Sequence, residues 1–263
     1  MPVLGFIGTG NMGGALARAA AKGGNELLLA NRSPEKAQKL IDEIGGRLCS
    51  NAEVAQQADF IFLGVKPQMM ADMLEEIKPV LMRRRDRFFL VSMAAALTID
   101  KINEMAGGGH SVIRIMPNTP CAIGEGMILY SCGEGVGQAE EEVFLNAMAA
   151  AGRFSNLPEK LIDAGSSVAG CGPAFVDLFV EALADGGVAC GLPRAQALEF
   201  AAQMVAGSAK LILESGKHPG KLKDEVCSPG GTTIQGVRAL ENGGFRSAVM
   251  EAVIAAYEKN FKL

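Results

Sequence analysis

The stretch Val3-Leu4-Gly5-Phe6-Ile7-Gly8-Thr9-Gly10-Asn11-Met12-Gly13 stands at the head of the chain, and its reading decides the fold. Residues 3–7 are a short apolar run, suited to a strand buried on both faces. A G-x-G-x-x-G follows, and Asn11 to Lys22, rich in Ala, Leu and Met, reads as a helix. Glycines at this spacing say little alone. Between a buried strand and a helix start, they mark a dinucleotide-binding turn. Gly8 allows the tight turn, Gly10 lets the backbone approach a pyrophosphate, and Gly13 lets the helix pack close to the strand. The helix start, with Asn11 and Met12 in its first turn, offers unpaired N–H groups and a positive dipole end to phosphate.

The pattern continues outward from this unit. Glu26–Ala30 reads as a second strand, and Ser33-Pro34-Glu35-Lys36 as a helix start with Ser as N-cap and Pro at the first helical position. A short strand near Arg47–Cys49 precedes a helix opened by Ser50 or Asn51. Asp59–Val65 is the clearest buried strand, Pro67 opens another helix, and Phe88–Ser92 and Val112–Met116 are further strands. This rhythm predicts an α/β fold: a Rossmann-type, doubly wound, mainly parallel sheet covered by helices. After residue 116 come two weaker strands, near Met127–Ser131 and Arg153–Asn156, separated by a helix over Gln138–Ala151.

Beyond Pro158 no strand is expected. Pro173–Cys190, Arg194–Ser215 and Phe245–Phe261 are long Ala- and Leu-rich stretches. The division falls at a dinucleotide-binding domain over 1–158 and an all-helical substrate-binding and dimerisation domain over 159–263. Helices 174–189 and 196–213 are apolar round most of their circumference, so they need burial on all sides. A domain of this size cannot supply that alone, which implies a homodimer through the C-terminal helices.

Composition sets the class. Of 263 residues, 33 are glycine, against roughly 7% in average usage. Glycine has no three-residue period, which excludes collagen, and the apolar content of 49% excludes low-complexity disorder. The net charge of −4 argues against a nucleic-acid partner. The one basic run, Arg83-Arg84-Arg85 with Arg87, reads as a solvated helix end. Six cysteines lie scattered without a Cys-x-x-Cys pair, and only His110 and His218 supply imidazole, so no metal site is expected. Unpaired cysteines, no signal-like start and no apolar run of about 18 uninterrupted residues suggest a soluble cytoplasmic protein away from membranes.

The end of the second strand selects the cofactor. NAD enzymes place Asp or Glu there to hold the ribose 2′-hydroxyl. Here the sequence reads Asn31-Arg32-Ser33. No carboxylate repels a 2′-phosphate, and Arg32 and Ser33 can donate to it. NADPH is therefore expected, with NADH as a weaker substitute. A second glycine-rich loop, Ser228-Pro229-Gly230-Gly231-Thr232-Thr233, leads into a helix over 234–241 and suits a small carboxylate. His110 reads as a surface loop residue, His218 as a turn residue and Cys227 as a packed or incidental thiol.

Ordered blocks along the whole chain carry a resemblance. They are Phe6 through Gly13, Val65-Lys66-Pro67, Arg114-Ile115-Met116-Pro117-Asn118-Thr119-Pro120, Gly170-Cys171-Gly172-Pro173-Ala174-Phe175, His218-Pro219-Gly220 and Asp224 through Thr233. Together they resemble pyrroline-5-carboxylate reductases. One departure is Ala169-Gly170-Cys171, where that family more often shows Ser-Gly-Ser. The resemblance implies NADPH-dependent reduction of the imine of 1-pyrroline-5-carboxylate to L-proline, the last step of proline biosynthesis. It further implies that Ser228, Gly230, Gly231 and Thr232 hold the substrate carboxylate and that the Thr233 hydroxyl contacts the ring nitrogen. Asn51 would lie near the adenine ribose phosphate, Lys66, Pro67 and Asn118 would line the nicotinamide side, and Val65 would also bind the cofactor. The family's members resemble interlocked dimers, some built into decamers of five dimers. Two alternatives stand beside this reading. A β-hydroxyacid dehydrogenase would need a Lys where Val176 stands. A non-catalytic NADP-binding regulator would not need the 228–233 loop.

Overall fold

The computed structural model describes residues 1–260. Among the described residues two compact units form, Met1–Cys171 with residues 257–260, and Gly172–Ala256. In the first, β1 (Val3–Ile7), α1 (Asn11–Lys22), β2 (Glu26–Ala30), α2 (Pro34–Ile44), β3 (Arg47–Leu48), α3 (Asn51–Gln57), β4 (Phe60–Leu63) and α4 (Met70–Leu81) follow in turn. Then come β5 (Phe89–Ser92), α5 (Ile99–Met105), β6 (Ser111–Met116), β7 (Gly126–Cys132), α6 (Gln138–Met148), β8 (Gly152–Asn156) and α7 (Ile162–Ala169). The eight strands make one sheet in the order β3-β2-β1-β4-β5-β6-β7-β8. Neighbours are parallel except at β6–β7, so β7 and β8 run against the rest.

The strands show near-continuous apolar runs because both faces are covered. Phe60 and Phe62 enter one core layer with α1, α2 and α6, while Ile61 and Leu63 enter the other with α3, α4 and α5. Phe6 stacks on Phe62 with centroids 4.4 Å apart. Such aromatic contact adds about 0.5–1.5 kcal/mol beyond area burial.

The second unit is all helix: α8 (Gly172–Ala189), α9 (Arg194–Ser215), α10 (Pro219–Val226), α11 (Thr232–Asn242) and α12, which runs over Phe245–Asn260. The expected end of the last helix, Phe261, lies outside the described residues. α8 and α9 pack as a pair, with Gly187 so near Ala197 that an added Cβ would lie 3.2 Å from its methyl. Large apolar side chains nevertheless stay exposed: Leu178 is 68% and Leu213 is 67% exposed, and Phe200 and Met204 are about half exposed. The stretch Glu159–Ala189 is long and apolar enough to cross a membrane by length and composition, with mean hydropathy 1.4. It carries Asp163, Asp177 and Glu181, and Asp163 pairs with buried Arg114.

Three expectations need correction. Arg84 is not solvated: its guanidinium is nearly buried, donates to the carbonyls of Ala55 and Ala58, pairs with Asp86 and lies over the Phe88 ring. It serves buried carbonyls at the C-terminal end of α3, which have no partner within their own helix. His110 is not a surface loop residue. It is half-buried against Phe88, its Nε2 is sequestered without a partner, and burial holds its pKa below the ordinary value. Ser33 takes the N-cap position of α2, but its hydroxyl makes no cap hydrogen bond. By contrast Ser50 caps α3 in a reciprocal box with Glu53, which puts Asn51 inside the first turn. His218 caps α10, its Nδ1 accepting from the Gly220 N–H at 3.1 Å.

Candidate active site

A cavity of about 840 Å³ opens along the carboxyl ends of β2, β1 and β4. Gly8, Gly10, Asn31, Arg32, Ser33, Asn51 and Val65 all line it. Asn11, Met12 and Gly13 form the first turn of α1 just behind Gly10. The glycine loop has the tightness its spacing implies. Gly8 takes φ +99°, and an added Cβ would stand 2.6 Å from the Gly64 carbonyl oxygen. At Gly13 an added Cβ would stand 2.1 Å from the Gly8 carbonyl oxygen. Gly10 caps α1 with no side chain over the helix end, so nothing covers the first-turn amides.

Asn31 braces this loop. Its Oδ1 accepts from the Thr9 N–H at 3.2 Å, and its Nδ2 donates to the Ser33 carbonyl at 3.0 Å. The brace ties the glycine turn to the end of β2. Thr9 Oγ1 is buried there without a partner. Arg32 and the uncommitted Ser33 hydroxyl follow at the rim. Lys36, one helical turn on, lines the same rim and was not singled out from the sequence. An exposed lysine inside a helix carries no local signal; only the fold brings it beside Arg32.

The facing wall is acidic. Glu53, Asp72 and Glu76 line it, with Glu76 Oε2 accepting from Asn51 Nδ2 at 2.8 Å. The Glu53 carboxyl is held below its ordinary range, chiefly by the Ser50 backbone N–H. Met69 and Met73 supply apolar surface, and burial pushes the Cys49 thiol above its ordinary range.

Other expected site residues stand elsewhere. Lys66 and Pro67 begin a short 3-10 turn after β4 and are not part of the cavity lining. Asn118 is buried, with both ends of its amide engaged. Oδ1 accepts from the Met127 N–H at 3.0 Å, and Nδ2 donates to the Ala169 carbonyl at 3.0 Å. The segment 228–233 belongs to the second unit, and the expected loop is shorter: Thr232 and Thr233 already form the first turn of α11, which begins right after Gly231. Gly230 has φ +70°, the Gly231 N–H donates to the Ser228 carbonyl at 3.0 Å, and Gly231 caps α11 without a side chain. Ser228, Thr232 and Thr233 are exposed there. Among the described residues no group of three or more His, Cys, Asp or Glu side chains is placed to hold a metal.

Comparison with known proteins agrees with this layout. Residues 159–263 match the family model for pyrroline-5-carboxylate reductase dimerisation, and residues 3–96 match that for coenzyme F420-dependent NADP oxidoreductases. The pyrroline-5-carboxylate reductase of Escherichia coli (strain K12) is 43% identical over 265 residues, covering 99% of this chain and 97% of the relative. The crystal structure of Plasmodium falciparum pyrroline carboxylate reductase, with NADP bound, superposes with a TM-score of 0.87 at 34% identity, over 98% of this chain and 97% of that one. The Streptococcus pyogenes enzyme gives a TM-score of 0.88 at 30% identity, over 100% and 99%. With a glycine turn, an open cavity at the strand ends and near full-length similarity in hand, the chain belongs to the pyrroline-5-carboxylate reductase family of oxidoreductases.

Proposed function

We propose that this protein reduces 1-pyrroline-5-carboxylate to L-proline with NADPH, NADH serving as a weaker substitute. The carrying observation is the rim of the cavity. Arg32, the free Ser33 hydroxyl and Lys36 meet there with no carboxylate at the end of β2. Neither Arg32 nor Lys36 makes an ion pair among the described residues, so both can donate to a 2′-phosphate. Gly8, Gly10 and Gly13 with the amides of Asn11 and Met12 would hold the pyrophosphate. Asn51 would hold the adenine ribose, and Val65, Lys66, Pro67 and Asn118 the nicotinamide side. Asn118 would act there as a brace.

When bound, NADPH supplies a hydride. The chain's own task is to position and polarise. Ser228, Gly230, Gly231 and Thr232 would fix the substrate carboxylate, through the free N–H groups and hydroxyls of the segment, and the Thr233 hydroxyl would hold the ring nitrogen. The imine enters protonated, so addition of hydride to its carbon leaves a neutral amine and needs no strong base. Residues 1–158 would serve the cofactor, and 159–263 the substrate and the subunit contact. The exposed apolar faces of α8 and α9 support a homodimer; the family resemblance adds a decamer of five such dimers as the alternative assembly. Six free cysteines support a reducing cytoplasmic setting.

The test is a steady-state assay of the purified protein with pyrroline-5-carboxylate and each cofactor, beside light scattering for assembly. NADPH should be oxidised faster than NADH by a particle of two or ten chains. Oxidation of neither cofactor overturns the reading of the reaction, and a monomer overturns the assembly.

A further inference from the structure

Arg114 sits at the carboxyl end of β6 with its side chain only 2% exposed. A guanidinium keeps its proton, so its burial must be matched by carboxylates. Nη2 donates to Asp163 Oδ1 at 2.7 Å, and Nη1 lies 3.4 Å from Glu159 Oε1. Nε has no partner. Apolar replacements of buried ion pairs are often neutral or stabilising, so the fold alone gives weak reason for this cluster.

The reason lies in the second bond of Glu159. The same Oε1 accepts from the Ile99 N–H at 2.7 Å. Ile99 opens α5, and residues 93–98 connect β5 to it. That connection holds Ala96 at φ +61°, the one positive-φ non-glycine among the described residues. Ser92 and Arg114 are register partners, so the connection leaves the sheet beside Arg114. A residue kept in a sparsely populated conformation by its surroundings is a pointer to function.

The nucleotide cavity covers the ends of β2, β1 and β4. A dinucleotide lying across the switch between β1 and β4 carries its other half toward β5 and β6, where residues 93–98 stand. We propose that Arg114 is a positioning residue of the reduction. It holds Glu159 against the Ile99 N–H and so fixes the β5–α5 connection beside the nicotinamide half of the cofactor. The inference rests on the proposed function. Arg114 touches no reacting atom, and the adenine end, held at Arg32 and Ser33, does not depend on it.

Glu159→Ala removes the acceptor at Ile99, whereas Glu159→Gln keeps an acceptor oxygen. Glu159→Ala should lower kcat tenfold or more, leave the Kd of 2′,5′-ADP within twofold, and speed amide exchange over residues 93–101 at least tenfold. Glu159→Gln should restore kcat to within threefold of wild type. A kcat within twofold for Glu159→Ala, or a fall in 2′,5′-ADP affinity in step with kcat, overturns the proposal. Amide exchange needs no substrate and separates the two readings. A wild-type protein without turnover, but with faster exchange in Glu159→Ala, refutes the proposed function and supports the Glu159–Ile99 link. Unchanged exchange overturns the link.

Discussion

Gly10→Ala separates the two demands placed on the glycine loop. Gly10 has φ −68° and ψ −165°, a conformation open to any L-residue. A Cβ there would meet no atom within 4 Å. Replacing glycine at a compatible site reduces the freedom of the unfolded chain and stabilises by about 0.4–1 kcal/mol. The ligand-free variant should therefore unfold at the same or a higher urea concentration. The new methyl fills the space through which a pyrophosphate approaches the backbone. Overpacking costs about 1–3 kcal/mol, which weakens cofactor binding roughly 5- to 150-fold at 1.4 kcal/mol per tenfold.

Gly13→Ala makes the contrast. Its Cβ would stand 2.1 Å from the Gly8 carbonyl oxygen, well inside the ~3.5 Å of an ordinary contact. Backbone must move on the order of 1 Å to relieve it. The cost then falls on the fold, at the upper end of the same range. Urea unfolding of both ligand-free proteins, with calorimetric titration of NADP+, measures the two effects. Gly10→Ala that binds NADP+ within threefold of wild type would refute the reasoning. So would Gly10→Ala that is destabilised as much as Gly13→Ala.

Other expectations follow from the same geometry. Arg32→Ala should weaken 2′,5′-ADP binding roughly 10- to 100-fold, the value of a charged hydrogen bond, and Lys36→Ala only about two- to fivefold, as for an exposed charge. Equal losses for 5′-AMP in the same fluorescence titration would contradict the 2′-phosphate assignment. Thr233→Ala should lower turnover tenfold or more while the protein stays folded, since Thr233 is exposed; unchanged kinetics would remove it from the site. Ala96→Gly should raise stability by about 0.5–1 kcal/mol by relieving the left-handed residue, and a lower urea midpoint would show that Ala96 is not strained. Burial lowers the His110 pKa, so the unfolded chain binds the extra proton first. Stability should be full above the unfolded value and fall as pH drops through about 6.5 toward the lower folded value. His110→Gln should flatten that slope in melts between pH 7 and 5.

The sequence disclosed this fold where one physical cause dominated. Continuous apolar runs located the central strands, and the Ala- and Leu-rich stretch Arg194–Ser215 has the bounds of α9. The helices it left unmarked, α5, α7 and α10, are only seven or eight residues long. Such helices have too few turns for an apolar period to stand out, and tertiary contacts hold them instead. The glycine loop was legible because its chemistry is local in sequence. Less of the remaining site was, because it depends on helix geometry or on a partner farther along the chain. Lys36 reaches the rim through helix geometry, and Asn51 is tied to Glu76 on another helix. Arg84 looked like a member of a basic run until the carbonyls of Ala55 and Ala58 supplied its reason. Ser33 carried a cap signal, yet in the folded protein its hydroxyl is uncommitted.

The exposed apolar faces of α8 and α9 reach beyond assembly. A subunit without its partner holds Leu178, Phe200 and Leu213 in water. Where folding and pairing are coupled, stability has no value independent of protein concentration. Each tenfold dilution removes about 1.4 kcal/mol per dimer. How much of the chain a cell makes is then part of what keeps every copy of it folded.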